Sequence, residues 1–453
     1  MYALALVTAD GTLLDVQLNA VYRPSASADD LSFILASDLQ WGTVPEVASA
    51  NLKFISLLNA AAELPEAPEF VILSGDVVDC KFGSAGTLRS QLLGGANDYP
   101  RDYLQAWLAL AGSRLPLYIV PGNHDGYRFE DPLGRTRSDG LLLFEDTFGP
   151  SYAAFDRPPF RFILANSYDL PKAFRTSRRS EQSNVLEKIS DKLNTLNWGG
   201  GIGAAQLRWL RAQLGLDGAA PNTLIPILVC HHDPRGAFPA LKQPKSPAVA
   251  WDRRRHMPIS TPATDAAMMD LRLPPHSADT EEVHAGSYTP LRRYDSTLRN
   301  GDWFEVGLGG SMPSFLGFPG WSRYQQEWHI DLMYDGRWNR VTPQPPAADL
   351  LASPDAILRT MIEGKVRAVF KGHDNRFARS HMETGDSIFG QRAEDALLSL
   401  GADAGQLSPL RLSAPMSVFH NADIGDIDSD GHGMLWVRAQ GQELTVLEVD
   451  LVW

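Results

Sequence analysis

Apolar residues along this 453-residue chain gather into short continuous runs that stop abruptly in small or polar residues. They are Leu31–Ser37, Phe70–Gly75, Leu117–Gly122, Arg161–Ser167, Ile227–Cys230 and Val366–Gly372. A strand with one wet face alternates, whereas a continuous run predicts a strand buried on both faces. Helical spacing lies between most of the runs, over Val47–Glu63, Tyr103–Ala111, Ala204–Leu214 and Pro354–Glu363. Alternating strands and helices predict an α/β layered domain with its site at the strand ends. The stretch Gly433–Val452 alternates around Gly441 and reads as a closing hairpin, and residues 1–30 read as a strand hairpin joined to the core. The rhythm breaks twice. A polar insertion runs from about Leu170 to Gly203, with Arg175, Arg178 and Arg179, and an aromatic-rich insertion runs from 236 to 346. A segment as long as the second, set between core strands, is expected to be a cap and not a loose loop. The expected core is thus 31–235 continued by 347–453.

Composition narrows the function. With 44% hydrophobic and 21% charged residues, the chain is an ordinary globular protein. Its net charge of −13 argues against an extended nucleic-acid surface, although metal cations can still supply positive charge for a single phosphate. Two cysteines cannot form a disulfide framework, the N-terminus lacks a basic leader, and no run approaches the ~18 apolar residues of a membrane span. A cytoplasmic protein with no membrane contact is the expectation.

The residues after each strand carry the chemistry. The first is followed by Asp38-Leu39-Gln40, the second by Gly75-Asp76-Val77-Val78-Asp79, and the third by Gly122-Asn123-His124-Asp125. The ILVC strand runs into His231-His232-Asp233-Pro234, and the AVFK strand into Gly372-His373-Asp374-Asn375. Carboxylates, carboxamides and imidazoles are the donors a divalent cation takes. A single strand-end Asp or His is usually a cap or a satisfied surface group. Parallel strands bring all their ends to one edge, so five such clusters predict one crevice.

This ordered set resembles the calcineurin-like metallophosphoesterase superfamily. The resemblance implies a four-layer α/β/β/α sandwich with the aromatic cap inserted, and two divalent ions (Mn, Fe, Zn or Mg) sharing an aspartate. Position by position, it makes Asp76 the bridge. Asp38 and Gln40 would hold the first ion, with Asn375 at the position of its further ligand; Asn123, His231 and His373 would hold the second. His124 would sit beside the substrate phosphate, oriented by Asp125 or Asp79, and a hydroxide shared by the ions would attack phosphorus in line. The chain departs from the pattern at Gln40 and Asn375, where most relatives have His; Asp-x-Gln does occur in some relatives, such as the manganese-dependent ADP-ribose pyrophosphatases. Both departures fall on one ion, so an oxygen-rich, exchangeable site is expected beside a tight imidazole site.

Several assignments stay open on sequence. Either His231 or His232 can be the ligand, the other lining the pocket. Arg235 can reach a phosphate or make a plain salt bridge. Cys230 precedes His231 in a strand, must point the opposite way, and reads as a buried thiol. The stretch Asp426–Gly431 reads as a turn and not a calcium loop, because Val437 stands at the twelfth position. Trp198–Gly201 reads as a loop into a helix. The expected function is hydrolysis of a small phosphodiester or phosphomonoester. The rival is a weakly active scaffold that binds a partner through its aromatic insertion.

Overall fold

In a computed structural model of the chain, the described residues are 2–21, 30–42, 45–79, 99–130, 136–169, 176–177, 195–196, 201–218, 222–237, 251–252, 257–258, 354–373, 377–391, 394, 404–425 and 432–451. Apart from the short pieces at 236–237, 251–252 and 257–258, the aromatic insertion lies outside them, as do Arg175, Arg178, Arg179, Trp198–Gly200, Cys80, Asp374, Asn375 and Asp426–Gly431.

In chain order the strands of the first sheet are β1 (Asp30–Ala36), β2 (Phe70–Ser74), β3 (Leu117–Val120), β4 (His432–Gln440) and β5 (Glu443–Leu451). The first three run parallel in the order β1-β2-β3, and β4 lies antiparallel on the free edge of β1 with β5 outside it. The second sheet takes Ala153–Arg157, Phe160–Leu164, Ile225–Cys230, Ala368–Lys371, Ala378–Met382 and Met416–His420. Four of these strands are parallel neighbours, Phe160–Leu164 beside Ile225–Cys230, then Ala368–Lys371, then Met416–His420, with one antiparallel strand on each edge. The first residues form their own antiparallel pair, Tyr2–Val7 with Leu13–Val21.

Period-two alternation explains why the core runs are continuous. In β1, Phe33 and Leu35 join an apolar cluster between the sheets with Phe70, Ile72, Phe162, Val229, Phe370 and Val437. Their neighbours Ile34 and Ala36 face the other way, into a cluster with Phe54 and Leu58 of α1 (Pro45–Ala61) and Tyr103, Ala106 and Leu110 of α2 (Tyr99–Leu110). On the second sheet Ile163, Leu228, Cys230, Val369 and Val418 do the same against Leu210 of α3 (Ala204–Gln213) and Leu358 and Met361 of α4 (Pro354–Glu363). Between the sheets Phe33 stacks on Phe70 at 5.3 Å and meets Phe162 edge-on at 5.2 Å. Such ring pairs add roughly 0.5–1.5 kcal/mol each beyond area burial.

α2 begins at Tyr99, four residues before the apolar spacing suggested, because Pro100 can sit in the first turn, where its missing N–H costs nothing. The strands Ala153–Arg157, Ala378–Met382 and Met416–His420 are short or mix polar and apolar residues, and their pattern does not announce them. Cys230 is buried on the helix-facing side, with its Sγ 3.2 Å from the His232 carbonyl; burial pushes its thiol pKa up, as an inert core thiol requires. Among the described residues no helix is long and apolar enough to cross a membrane.

Candidate metal centre

Register decides which strand ends meet. Cys230 pairs with Lys371 and Lys371 with His420, so the residues that follow, His231, Gly372 and Asn421, leave the second sheet along one edge. In the first sheet Ala36 pairs with Leu73 and Ser74 with Val120, which places the Asp38, Asp76 and Asn123 loops side by side. These loops continue the ladder past the strands: Asp38 N donates to Gly75 O at 3.0 Å, Gln40 N to Asp76 O at 2.9 Å and Asp79 N to Trp41 O at 2.8 Å. The chain pays in backbone strain. Four of the five non-glycine residues at positive φ among the described residues are Asp38, Gln40, Asp76 and His373, at 55°, 49°, 54° and 75°. Such conformations cost of order 1 kcal/mol or more each and cluster where a site demands them.

Two glycines make the close approach possible. A Cβ on Gly75 would lie 2.4 Å from His231 Nδ1, and one on Gly122 would lie 2.1 Å from Asp76 Oδ1. Gly75 also sits at φ +103°, where an L side chain is strained.

Asp76 stands at the middle of the site. Its Oδ1 accepts the His124 backbone N–H at 2.8 Å, and its Oδ2 lies 3.1 Å from His231 Nε2 and 3.8 Å from His124 Nε2. Asp38 Oδ2 accepts from Ser37 Oγ at 2.5 Å and from the His373 backbone N–H at 3.0 Å. His231 donates from Nδ1 to the Ser74 carbonyl at 2.7 Å, which turns Nε2 toward Asp76 and to within 2.9 Å of His373 Nδ1. One ligand atom each from Asp38, Asp76 and His231 fall within 4.8 Å of one another, and so do those of His231, His232 and His373.

This donor set fits divalent cations on two counts. Asn123 is fully buried; its Nδ2 donates to Tyr127 Oη at 2.6 Å, and its Oδ1 meets no hydrogen-bond partner among the described residues. A buried carboxamide oxygen left without a hydrogen bond is what a metal ligand requires. The second count is charge. Burial pushes Asp38 up to about 7, the His231 charge opposes that rise, and the nearby Asp76 adds to it. Burial also works against Asp76, yet the positive charges of His231 and His124 outweigh it and hold that carboxyl at about 2. For His231, burial favours the neutral ring, but Asp76 and Asp38 outweigh it and lift the imidazole to about 9. A proton held between an imidazole and two buried carboxylates marks a place for positive charge, which a divalent cation would supply in its stead.

His124 borders the cluster and is held from behind. Its Nδ1 donates to Asp79, 2.6 Å from the carbonyl and 2.9 Å from Oδ1. Asp125, the other residue expected to orient it, accepts instead from the backbone N–H groups of Gly122, Val77 and Val78 at 2.8, 3.2 and 3.0 Å. It ties the Asp76 and Asn123 loops together and does not touch the imidazole ring. Arg235 lies fork-on against Asp233, with Nη2 2.7 Å from Oδ2, and also reaches Ser380 Oγ at 3.3 Å. His232 is buried, with Nδ1 2.9 Å from Ser167 Oγ. Gln40 is at the same loop as Asp38 and nearly buried, and Asn375 lies outside the described residues.

Four participants were not singled out in the sequence. Ser167 ends the run Arg161–Ser167, and its small polar ending was the available signal. Tyr127 follows Asn123 by four residues, a spacing that puts the two on one side of a helical turn. The buried Asn421 and Asp423 follow the strand Met416–His420; beyond them Ile424 N donates to Ser37 O at 3.1 Å and Gly425 N to Asp38 O at 2.9 Å, so this segment supports the Asp38 loop. With that strand unforeseen, nothing pointed to its ends.

Among solved structures, a dimetal phosphatase from Danio rerio is 14% identical with a TM-score of 0.40, the match covering 92% of this chain and 99% of that one. A purple acid phosphatase from yellow lupin (Lupinus luteus) seeds is 10% identical with a TM-score of 0.38, covering 98% of this chain and 56% of that one. No curated protein sequence matches. The family model for the calcineurin-like phosphoesterases matches residues 31–255, the stretch that brings Asp38, Asp76, Asn123, His124 and His231 together, and the chain thus carries a calcineurin-like phosphoesterase domain, a hydrolase of phosphate esters.

Proposed function

We propose that the protein hydrolyses a small phosphate ester, a diester in preference to a monoester, at a centre where two divalent ions would share Asp76. The observation that carries this reading is the position of Asp76, whose Oδ2 lies 3.1 Å from His231 Nε2 and 3.8 Å from His124 Nε2. Asp38 and Gln40, with Asn375 as a further donor, are assigned to one ion; Asn123, His231 and His373 are assigned to the other. The first set is mostly oxygen and suits Mn or Mg, while the imidazoles of the second suit Zn, Fe or Mn. When bound, the ions supply Lewis acidity, charge for the phosphoryl oxygens, and activation of water.

The protein's own part is positioning and proton management. The Asp79 contacts hold the His124 ring by Nδ1, so that Nε2 is the atom turned to the reacting side. Carrying a proton there, His124 can deliver it to the departing ester oxygen, the help a poor alkoxide leaving group needs. This favours an ester with a basic leaving group, such as a nucleoside or other alcohol. Asp125 keeps the His124 turn and the Asp76 loop in register, and has no direct share in the chemistry.

The test is turnover of bis-p-nitrophenyl phosphate and p-nitrophenyl phosphate by metal-stripped protein, with Mn²⁺, Zn²⁺, Mg²⁺ or Fe²⁺ restored in turn. Metal-dependent hydrolysis, faster on the diester, is the expected result. Folded protein that binds metal and turns over neither ester with any ion would overturn the reading in favour of a binding scaffold.

A further inference from the structure

The loop that carries Asp38 and Gln40 is held mostly by main-chain groups. Ser37 O accepts from Ile424 N at 3.1 Å, Asp38 O from Gly425 N at 2.9 Å, and Trp41 O from Asp79 N at 2.8 Å. Leu39, the residue between the two expected ligands, is the exception. Its carbonyl accepts from a side chain, Asn51 Nδ2, at 2.6 Å. That carbonyl stands between two residues in the left-handed region, Asp38 at φ 55° and Gln40 at 49°, so its direction is tied to both strained conformations. Backbone closes on it as well, since a Cβ on Gly425 would lie 2.1 Å from Leu39 O.

Asn51 belongs to α1, where the buried positions are Val47, Asn51, Phe54, Ile55, Leu58 and Ala61. Among the described residues it is the one polar member of that stripe, and it is fully buried. Its Oδ1 meets no hydrogen-bond partner among the described residues. Burying an unpaired carbonyl oxygen costs stability, and an aliphatic side chain at this position would bury none. The half of the amide that is used is the donor, and what it holds is the Leu39 carbonyl. We propose that Asn51 is a positioning residue: through Leu39 O it holds the strained turn that carries Asp38 and Gln40, and so sets the affinity of the ion assigned to them. The inference rests on the two-ion reading for what the turn binds, whereas the hold on the turn itself does not depend on metal.

Asn51→Leu tests it, because leucine has a similar shape and removes the donor together with the unpaired oxygen, so the melting temperature is expected to change little. Asn51→Ala, which leaves space in place of the amide, is expected to give the same pattern in both readouts. The first readout needs no metal. Gln40 N and Trp41 N donate to Asp76 O and Val77 O, so their hydrogen exchange reports on the turn. In metal-free protein, exchange over 37–42, followed by mass spectrometry, is expected to quicken about tenfold in the variants, with 70–74 unchanged. The second readout is calorimetric titration of metal-free protein with Mn²⁺. The weaker ion is expected to lose about tenfold or more in affinity, while the tighter one stays within about threefold of wild type. Leu58→Ala, a truncation in the same buried stripe, is the control: it should lower the melting temperature and leave both affinities as they are. Unchanged exchange over 37–42, unchanged affinity for both ions, equal weakening of both, or the same effect from Leu58→Ala would each overturn the proposal. Quickened exchange in a protein whose wild type takes up fewer than two ions would instead count against the two-ion reading alone.

Discussion

The imidazole of His124 donates to Asp79, with Nδ1 2.9 Å from the carboxylate and 2.6 Å from the backbone carbonyl of the same residue. One residue thus grips the ring by two acceptors, and the second is main chain and survives substitution of the side chain. Asp79→Asn should therefore lower kcat by only about tenfold, whereas His124→Ala, which removes the proton donor itself, should lower it by about 10²–10³. The loss in His124→Ala should shrink for an ester whose leaving group has a low pKa, measured as kcat against leaving-group pKa. Equal losses across that series would remove His124 from the role of acid.

The hydroxyl of Tyr127 is the partner that turns the Asn123 amide, at 2.6 Å. Outer partners of metal ligands are typically worth about 10–100-fold in affinity. Tyr127→Phe should weaken the ion assigned to Asn123 by that order while the unfolding temperature changes little. Calorimetric titration of the metal-free variant checks this, and unaltered affinity would show that the amide holds its orientation without help.

A methyl group on Gly122 has nowhere to go, since its carbon would lie 2.1 Å from Asp76 Oδ1 and 2.6 Å from the Asp76 backbone nitrogen. Gly122→Ala should displace the Asp76 carboxylate, and metal-dependent turnover should fall by at least about 10²-fold, the scale associated with ångström-level misplacement. The far-UV circular dichroism should stay close to wild type, because the clash is confined to the loop. Full activity in this variant would contradict the close approach on which the site is built.

Acid stability should depend on Asp233. Burial disfavours its charge, but the fork of Arg235, with help from Lys371 and His420, outweighs burial and holds its carboxyl at about 2. The folded value lies below the unfolded one of roughly 3.9, so the stabilisation is fully present above about pH 4 and is lost as pH falls towards 2. Its size is of order 2 kcal/mol. Asp233→Asn should accordingly melt lower than wild type at pH 6, and the gap should close as both are taken to pH 2.5. A gap independent of pH would mean that Asp233 acts by shape and not by charge.

The sequence determined the inner architecture, because burial on both faces leaves a mark that no other environment leaves. Phe70–Leu73 and Ala368–Phe370 are apolar at every position, and they became buried strands. Polar residues at their ends were legible for the complementary reason: a divalent ion accepts few donor types, and few sequences place Asp, Asn and His in that order. The edge strands left no such mark. Ala378–Met382 alternates buried and exposed positions and mixes Arg, Ser and His among its apolar residues, since an edge is covered on one side only.

Tertiary structure alone decided how the polar residues divide their work. Nothing in Gly122-Asn123-His124-Asp125 says that Asp125 serves three backbone N–H groups while Asp79, from another strand end, serves the ring. Nothing in His231-His232 separates two identical side chains. The difference comes from what each ring nitrogen meets at a neighbouring strand end, the Ser74 carbonyl of the other sheet in one case and the Ser167 hydroxyl of the same sheet in the other. Those partners lie 157 and 65 residues away in the chain. A hydrogen bond reads position and direction to within a few tenths of an ångström, and sequence spacing carries no information at that scale until the strands are in register.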